Sequence, residues 1–232
     1  MKIGLVAPPS MLNYCITSTQ YCLPYLIVEN KKYRGFYVRK ALEGNTTILD
    51  CRRLEWRRTP EKLETCLKAI EMLSPSIIIL PSVMHNRKRT FEAACKYITK
   101  MKEVGERFAY CIEGTSSKEL RESVSDSRNI PGNAFTIAVP SHSHRLCKSI
   151  TYERPIIYLG VHQNIDELLE VPDGILITSL PLRLGLEGKL LSNYLPTPPS
   201  LTFLEEENLF PEIIEKNIHN TLELYEENHN EM

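Results

Sequence analysis

The sequence predicts an α/β chain that closes into a compact TIM-like (β/α) barrel, and two observations carry that prediction. Short apolar runs rich in β-branched residues recur along the chain. They are continuous rather than alternating, as expected of parallel strands buried on both faces. Segments of helical period separate them. An open doubly wound sheet has the same alternation and is the competing arrangement.

Seven runs read as strands: "KIGLVA" (2–7), "TTILD" (46–50), "SIIILP" (76–81), "RFAYCI" (107–112), "AFTIAV" (134–139), "PIIYLG" (155–160) and "GILITS" (174–179). Helical period appears over 31–43. It returns over 59–75, with Thr59 as cap, Pro60 at the first helical position and Pro75 as stop. A helix over 87–105 closes on Gly105, a good residue just past a helix end. One over 115–124 has the capping-box pair Ser116 and Glu119. The last spans 205–227, docked by the Pro-rich "LPTPPS" (195–200). No repeat or composition shift divides the chain, so 1–232 reads as one domain.

Hydrophobic residues make up 42% and charged residues 25%, as in a soluble globular protein. A net charge of −1 gives no global pull toward nucleic acid or membrane, so a polyanion site has to be a local patch. No run is long and apolar enough to span a membrane, and Met1 leads into "KIGLVAP" without a secretory leader. The expected compartment is therefore the cytoplasm. The seven cysteines, at 15, 22, 51, 66, 95, 111 and 147, include no C-x-x-C pair and read as reduced core thiols.

In parallel α/β folds chemistry gathers at the C-terminal strand ends. Those ends carry Asp50-Cys51, Ser82 to His85, Glu113-Gly114, Ser141 to Arg145, Gly160 to His162, and Thr178-Ser179. Asp50 leaves a buried strand, so it is either an acid/base or ligand-binding group or a helix cap. Glu113 has the same logic, with Gly114 behind it to admit a ligand to the backbone. Two ionised carboxylates would grip the N–H edge of a nucleobase.

His85, His142, His144 and His162 with Asp50 form a second candidate, a catalytic divalent-metal site; solvated or hydrogen-bonded histidines are the plainer reading. Arg52, Arg53, Arg57 and Arg58 surround Trp56, and Arg87, Lys88 and Arg89 follow the next strand. With Arg183 they would make a phosphate-contacting rim, or else a solvated helix face.

Five stretches carry a resemblance. "YCLPYLIVENKKYRGFYVRKALEGNTTILDCRRLEW" leads to the strand ending in Asp50, and "SPSIIILPSVMHNRKRTFEAA" holds Ser82. "YCIEGTSSKEL" holds Glu113, while "IAVPSHSHR" and "IIYLGVH" precede "GILITSLPLRLGLEG". In that order, over about residues 20 to 190, they resemble the queuine/archaeosine tRNA-guanine transglycosylase superfamily. The likeness is greatest to its short phage members and to DNA 7-deazaguanine-inserting systems. The resemblance implies an eight-stranded barrel that exchanges guanine for a 7-deazaguanine through an Asp nucleophile. It places Asp50 at a kept active-site Asp, Ser82 where a base-recognising Asp is usual, and Glu113 where a Gln is usual. Ile177, or Thr178 if the register slips by one, falls on the nucleophile. The family's zinc cluster has no counterpart here.

The expected protein is thus a divergent glycosyltransferase-like barrel that binds a nucleobase, a nucleotide or a modified base of DNA or tRNA. Its base exchange is altered or lost. Asp50 and Glu113 are the candidate catalytic pair. Cys51, Ser82, Gly114, His142, Gly160, Thr178, Ser179 and Arg183 are the candidate lining. No cofactor, metal or membrane is expected, and a homodimer is the candidate assembly. A metal-dependent hydrolase and a non-catalytic subunit are the alternatives.

Overall fold

Eight parallel strands hydrogen-bond in chain order, and the last pairs with the first, so the sheet closes on itself. The computed structural model describes residues 2–52, 62–101, 103, 107–130, 136–146, 155–160, 174–191 and 210–230. The strands are β1 (Lys2–Leu5), β2 (Thr19–Cys22), β3 (Thr46–Asp50), β4 (Ile77–Ile79), β5 (Phe108–Cys111), β6 (Thr136–Pro140), β7 (Ile156–Leu159) and β8 (Ile175–Thr178). Closure settles the choice of arrangement: this is an eight-stranded α/β TIM barrel, not an open sheet. Seven strands match the apolar runs. The eighth, β2, reads Thr-Gln-Tyr-Cys; it has no apolar run, yet all four residues are buried.

Eight helices are described: α1 (Pro24–Glu29), α2 (Lys31–Leu42), α3 (Leu63–Leu73), α4 (Arg87–Met101), α5 (Ser117–Asp126), α6 (Ser141–Leu146), α7 (Leu180–Leu186) and α8 (Pro211–Asn230). The Asn30 side chain caps α2 by accepting from Tyr33 N at 3.0 Å. Helix α3 ends on Ser74 in the left-handed region, φ 48°, just before Pro75. At α5 the Ser116 hydroxyl accepts from Glu119 N, as the capping pair predicts. The Glu119 carboxylate, however, takes Thr115 N at 2.8 Å rather than Ser116 N. Helix α6 starts directly where β6 ends, and Ser179 alone separates β8 from α7. Thr59, Pro60, Gly105, 195–200 and 205–209 lie outside the described residues.

Between β1 and β2 a 3₁₀ turn, Pro9–Tyr14, stands in for a full helix. At the other end of the chain, Asn217 of α8 latches the end of α7. Its Oδ1 accepts from Leu191 N at 2.9 Å and its Nδ2 donates to Lys189 O at 2.9 Å. Gly185 lets these helices touch, since a Cβ there would lie 2.8 Å from Ile214 Cα. Among the described residues no helix is long and apolar enough to cross a membrane. The six described cysteines are all free; Cys147 lies outside the described residues.

Register fixes which side chains face the barrel axis, because residues paired across parallel strands share a face. Asp50 meets Tyr21 and, through Arg52, reaches Cys111 two strands away, so these point inward. Tyr110 meets Ser123 of α5, so it points outward. Carried around the ring, the interior holds Gly4, Tyr21, Ile48, Asp50, Ile79, Cys111, Ala138, Pro140, Leu159 and Ile177. The parity agrees at the β8–β1 seam, where Gly4 pairs with Ile177.

Candidate functional site

The Asp50 carboxylate, fully buried at the end of β3, is held by the residue two positions on. Arg52 gives it its backbone N–H at 2.9 Å, Nε at 3.0 Å and Nη2 at 2.8 Å. The Tyr21 hydroxyl donates to Oδ2. Burial raises the Tyr21 pKa well above the usual phenol value and the Asp50 charge raises it further, so the hydroxyl stays a donor. Burial alone would lower Arg52, but the Asp50 charge offsets that and holds it well above its ordinary value. The result is a closed ion pair whose carboxylate lone pairs are occupied. In this geometry Asp50 positions Arg52.

Glu113, two residues past Cys111, is the second buried carboxylate, 2% exposed. Its Oε1 accepts from Ser82 Oγ at 3.2 Å and from the Cys111 thiol at 3.7 Å. Its Oε2 accepts from His85 N at 3.0 Å and lies 2.9 Å from His142 Nε2. His85 adopts φ 58°, the left-handed conformation that goes with this turn. Burial, then the Glu113 charge, raises the Cys111 thiol well above its ordinary value, so it stays a neutral donor. The His85 and His142 rings pack edge to face with centroids 4.5 Å apart. His142 Nδ1 is buried and has no hydrogen-bond partner among the described residues. Arg52 Nη1, 3.9 Å from Cys111 Sγ, joins the two clusters into one.

The structure therefore gathers Asp50, Arg52, Ser82, His85, Glu113 and His142 at the mouth of the barrel over β3 to β6. It separates others. Cys51 is one residue beyond Asp50 and so faces outward, where it meets Cys66 of α3 instead of a ligand. Gly114 is small because a Cβ would lie 2.9 Å from Glu119 Cβ and 3.2 Å from Leu120 N; it seats α5 rather than a ligand. Thr178 faces outward beside Leu5, and its hydroxyl accepts from Leu180 N at 3.1 Å, which removes it from the interior. Ser179 begins α7, its carbonyl accepting from Arg183 N at 3.0 Å, and Arg183 is buried within that helix. Gly160 ends β7 at φ 74°, its N–H bonded to Ile177 O at 3.1 Å. Ile177 pairs with Gly4 and faces inward.

Among the described residues the metal set does not assemble. Asp50 is occupied by Arg52 and Tyr21, His142 is engaged with Glu113, and the His144 side chain and His162 lie outside the described residues. Among the described residues no group of three His, Cys, Asp or Glu is placed to hold a metal. Two members of the basic rim are engaged elsewhere. Arg52 turns inward to Asp50. Arg87 clasps Asp126 at 2.6 Å and Glu122, joining α4 to α5. Arg53, Trp56, Arg57 and Arg58 lie outside the described residues. Tyr21 is the site residue that sequence reasoning missed, because β2 carries no strand pattern.

No family model and no curated protein matches this chain. Among solved structures it is similar to a D-psicose 3-epimerase from Clostridium cellulolyticum H10, solved with D-tagatose. That match has a TM-score of 0.60 over 98% of this chain and 99% of that one, at 7% identity. An N-acetylneuraminate lyase from Mycoplasma synoviae matches with a TM-score of 0.49 over 77% of this chain and 69% of that one, at 11% identity. The first likeness is one of fold.

Proposed function

We propose that the chain is a transglycosylase-like barrel that binds a nucleobase-sized polar ring at its mouth and does not exchange it through a covalent sugar intermediate. The observation that carries this reading is His142 Nδ1, buried beside Glu113 without a partner among the described residues. With Nε2–H directed at Glu113, Nδ1 is an acceptor awaiting an N–H. Arg52 supplies donors across the same cluster. An acceptor and a guanidinium together suit a lactam edge, the adjacent N–H and C=O of a guanine or 7-deazaguanine. Ile177, inward and 1% exposed, offers no group to attack a sugar carbon.

Calorimetric titration with guanine, 7-deazaguanine and a pyrimidine tests this. The parent is expected to prefer the purine-like rings, and His142→Ala to weaken binding by about tenfold, worth about 1.4 kcal/mol. No binding by the parent, or equal binding by a folded His142→Ala variant, defeats the reading.

The same carboxylate–imidazole pair favours a second reading, proton transfer on a small polyol or sugar. The D-psicose 3-epimerase of similar fold was solved with D-tagatose. Deuterium entering a ketohexose from solvent, followed by NMR, would select it; no exchange removes it.

A further inference from the structure

Helix α2 carries five basic residues and no acidic one, in a chain of net charge −1. Lys31 and Lys32 occupy its first turn, setting two cations against the positive end of the helix dipole. Gly35 interrupts its middle, yet a Cβ there would meet nothing within 4 Å, so no neighbour demands a glycine. Both choices weaken the helix without a packing return, the mark of positions kept for another purpose.

The helix borders the flank where the short 3₁₀ turn replaces a full helix. Between them lies a groove of about 480 Å³ lined by Ser10, Asn13, Lys32, Gly35, Phe36 and Arg39. Positions 32, 35, 36 and 39 lie on one helix face. Phe36 is half-buried, edge-on to Tyr37 with centroids 5.1 Å apart. The Arg39 guanidinium lies 5.7 Å and the Lys40 ammonium 5.8 Å from its ring centroid. Glu43 at the far end of α2 answers Arg39 at 3.8 Å and Lys40 at 3.1 Å, and Arg34 is held by the Ile27 and Val28 carbonyls. Lys32 is exposed at the opposite end of the groove.

We infer that this groove binds a single-stranded nucleic acid. The strand's phosphates run along Lys32 and Arg39, and one base stacks on Phe36 in the space that Gly35 leaves open. An aromatic platform between cations is the pairing such strands use, since every base has a face to stack and every nucleotide a charge to neutralise. An acidic peptide would use the cations but not the ring or the gap. The groove lies on the outer flank, and the inference does not rest on the reading of the barrel mouth.

Fluorescence anisotropy with a labelled mixed-sequence strand of about 12 nucleotides, as DNA and as RNA, tests it at low and moderate salt. The parent is expected to bind at low salt and to weaken as salt rises. Lys32→Glu and Phe36→Leu should each reduce affinity by about fivefold or more, with melting temperatures confirming that both fold. Phe36→Leu keeps an apolar side chain in place while removing the stacking face. Absence of saturable binding by the parent overturns the inference. So does binding that survives both substitutions, or displacement by polyglutamate at matched charge, since either means that charge alone attracts the strand.

Discussion

Glu113 Oε2 lies 2.9 Å from His142 Nε2, tying the end of β5 to the first turn of α6. The same carboxylate takes the Ser82 hydroxyl, the Cys111 thiol and the His85 backbone N–H, so donors face it on every side. Glu113→Gln would turn an NH₂ against one of these donors. It is expected to lower stability by about 1–3 kcal/mol, measured by urea unfolding. A stability equal to the parent's would mean that the carboxylate is not held as described.

The Asp50–Arg52 pair predicts a coupling. Arg52→Leu strands a buried carboxylate and should cost about 3–5 kcal/mol. Asp50→Asn added to that variant removes the charge and should recover part of the loss. The double-mutant cycle should report an interaction of about 0.5–3 kcal/mol; additive losses would contradict the ion pair.

Gly4 and Ile177 face each other across the barrel seam. A methyl at Gly4 would sit 2.7 Å from Ile177 Cδ1, the far end of a flexible side chain. Gly4→Ala alone should cost about 1–3 kcal/mol by overpacking, and Ile177→Val alone about 0.5–1.5 kcal/mol. Together they should cost less than their sum, because valine lacks the Cδ1 methyl that a new Cβ at position 4 would meet. Unfolding curves of the four proteins decide this.

Stability should fall at alkaline pH. Burial pushes Cys15 up to about 12 from 9.0, and raises Cys22 and Cys51 well above that value. Burial likewise raises Tyr21, Tyr33 and Tyr37 well above 10.0. In the unfolded chain these groups ionise near their ordinary values, whereas folding keeps them protonated. Their contribution is therefore complete below the unfolded pKa values and is lost as pH rises toward the folded ones. Each group steepens the fall by up to about 1.4 kcal/mol per pH unit above roughly pH 9–10. Urea midpoints between about pH 8 and pH 11 should decline, and a midpoint that rises over that range would contradict the burial of these groups.

Much of the mouth was legible because parallel strands announce themselves by apolarity and their ends follow by position. Asp50, Ser82, Glu113 and His142 were found in this way. What failed was orientation. Asp50 and Cys51 are adjacent, and adjacency on a strand means opposite faces, so only one of them could line the interior. Thr178 fails beside Ile177 for the same reason. Arg52 was visible as a charge, but its inward turn toward Asp50 is a tertiary fact. Tyr21 was hidden because β2 is buried without being apolar: its Gln20 side chain returns to the Cys15 and Thr17 carbonyls, a contact no periodicity encodes.

The seam between β1 and β8 joins Lys2 to Ile175 and Leu5 to Thr178, partners 173 positions apart. Nothing earlier in the chain can take that edge. During synthesis β1 is among the first segments to emerge, and it waits for the last strand to leave the ribosome, about 9–35 s at ordinary elongation rates. Through that interval its open edge is a template for any passing strand. A chain cut before β8 keeps two such edges for good. Nascent-chain solubility should therefore change abruptly, rather than gradually, once residue 178 has left the ribosome.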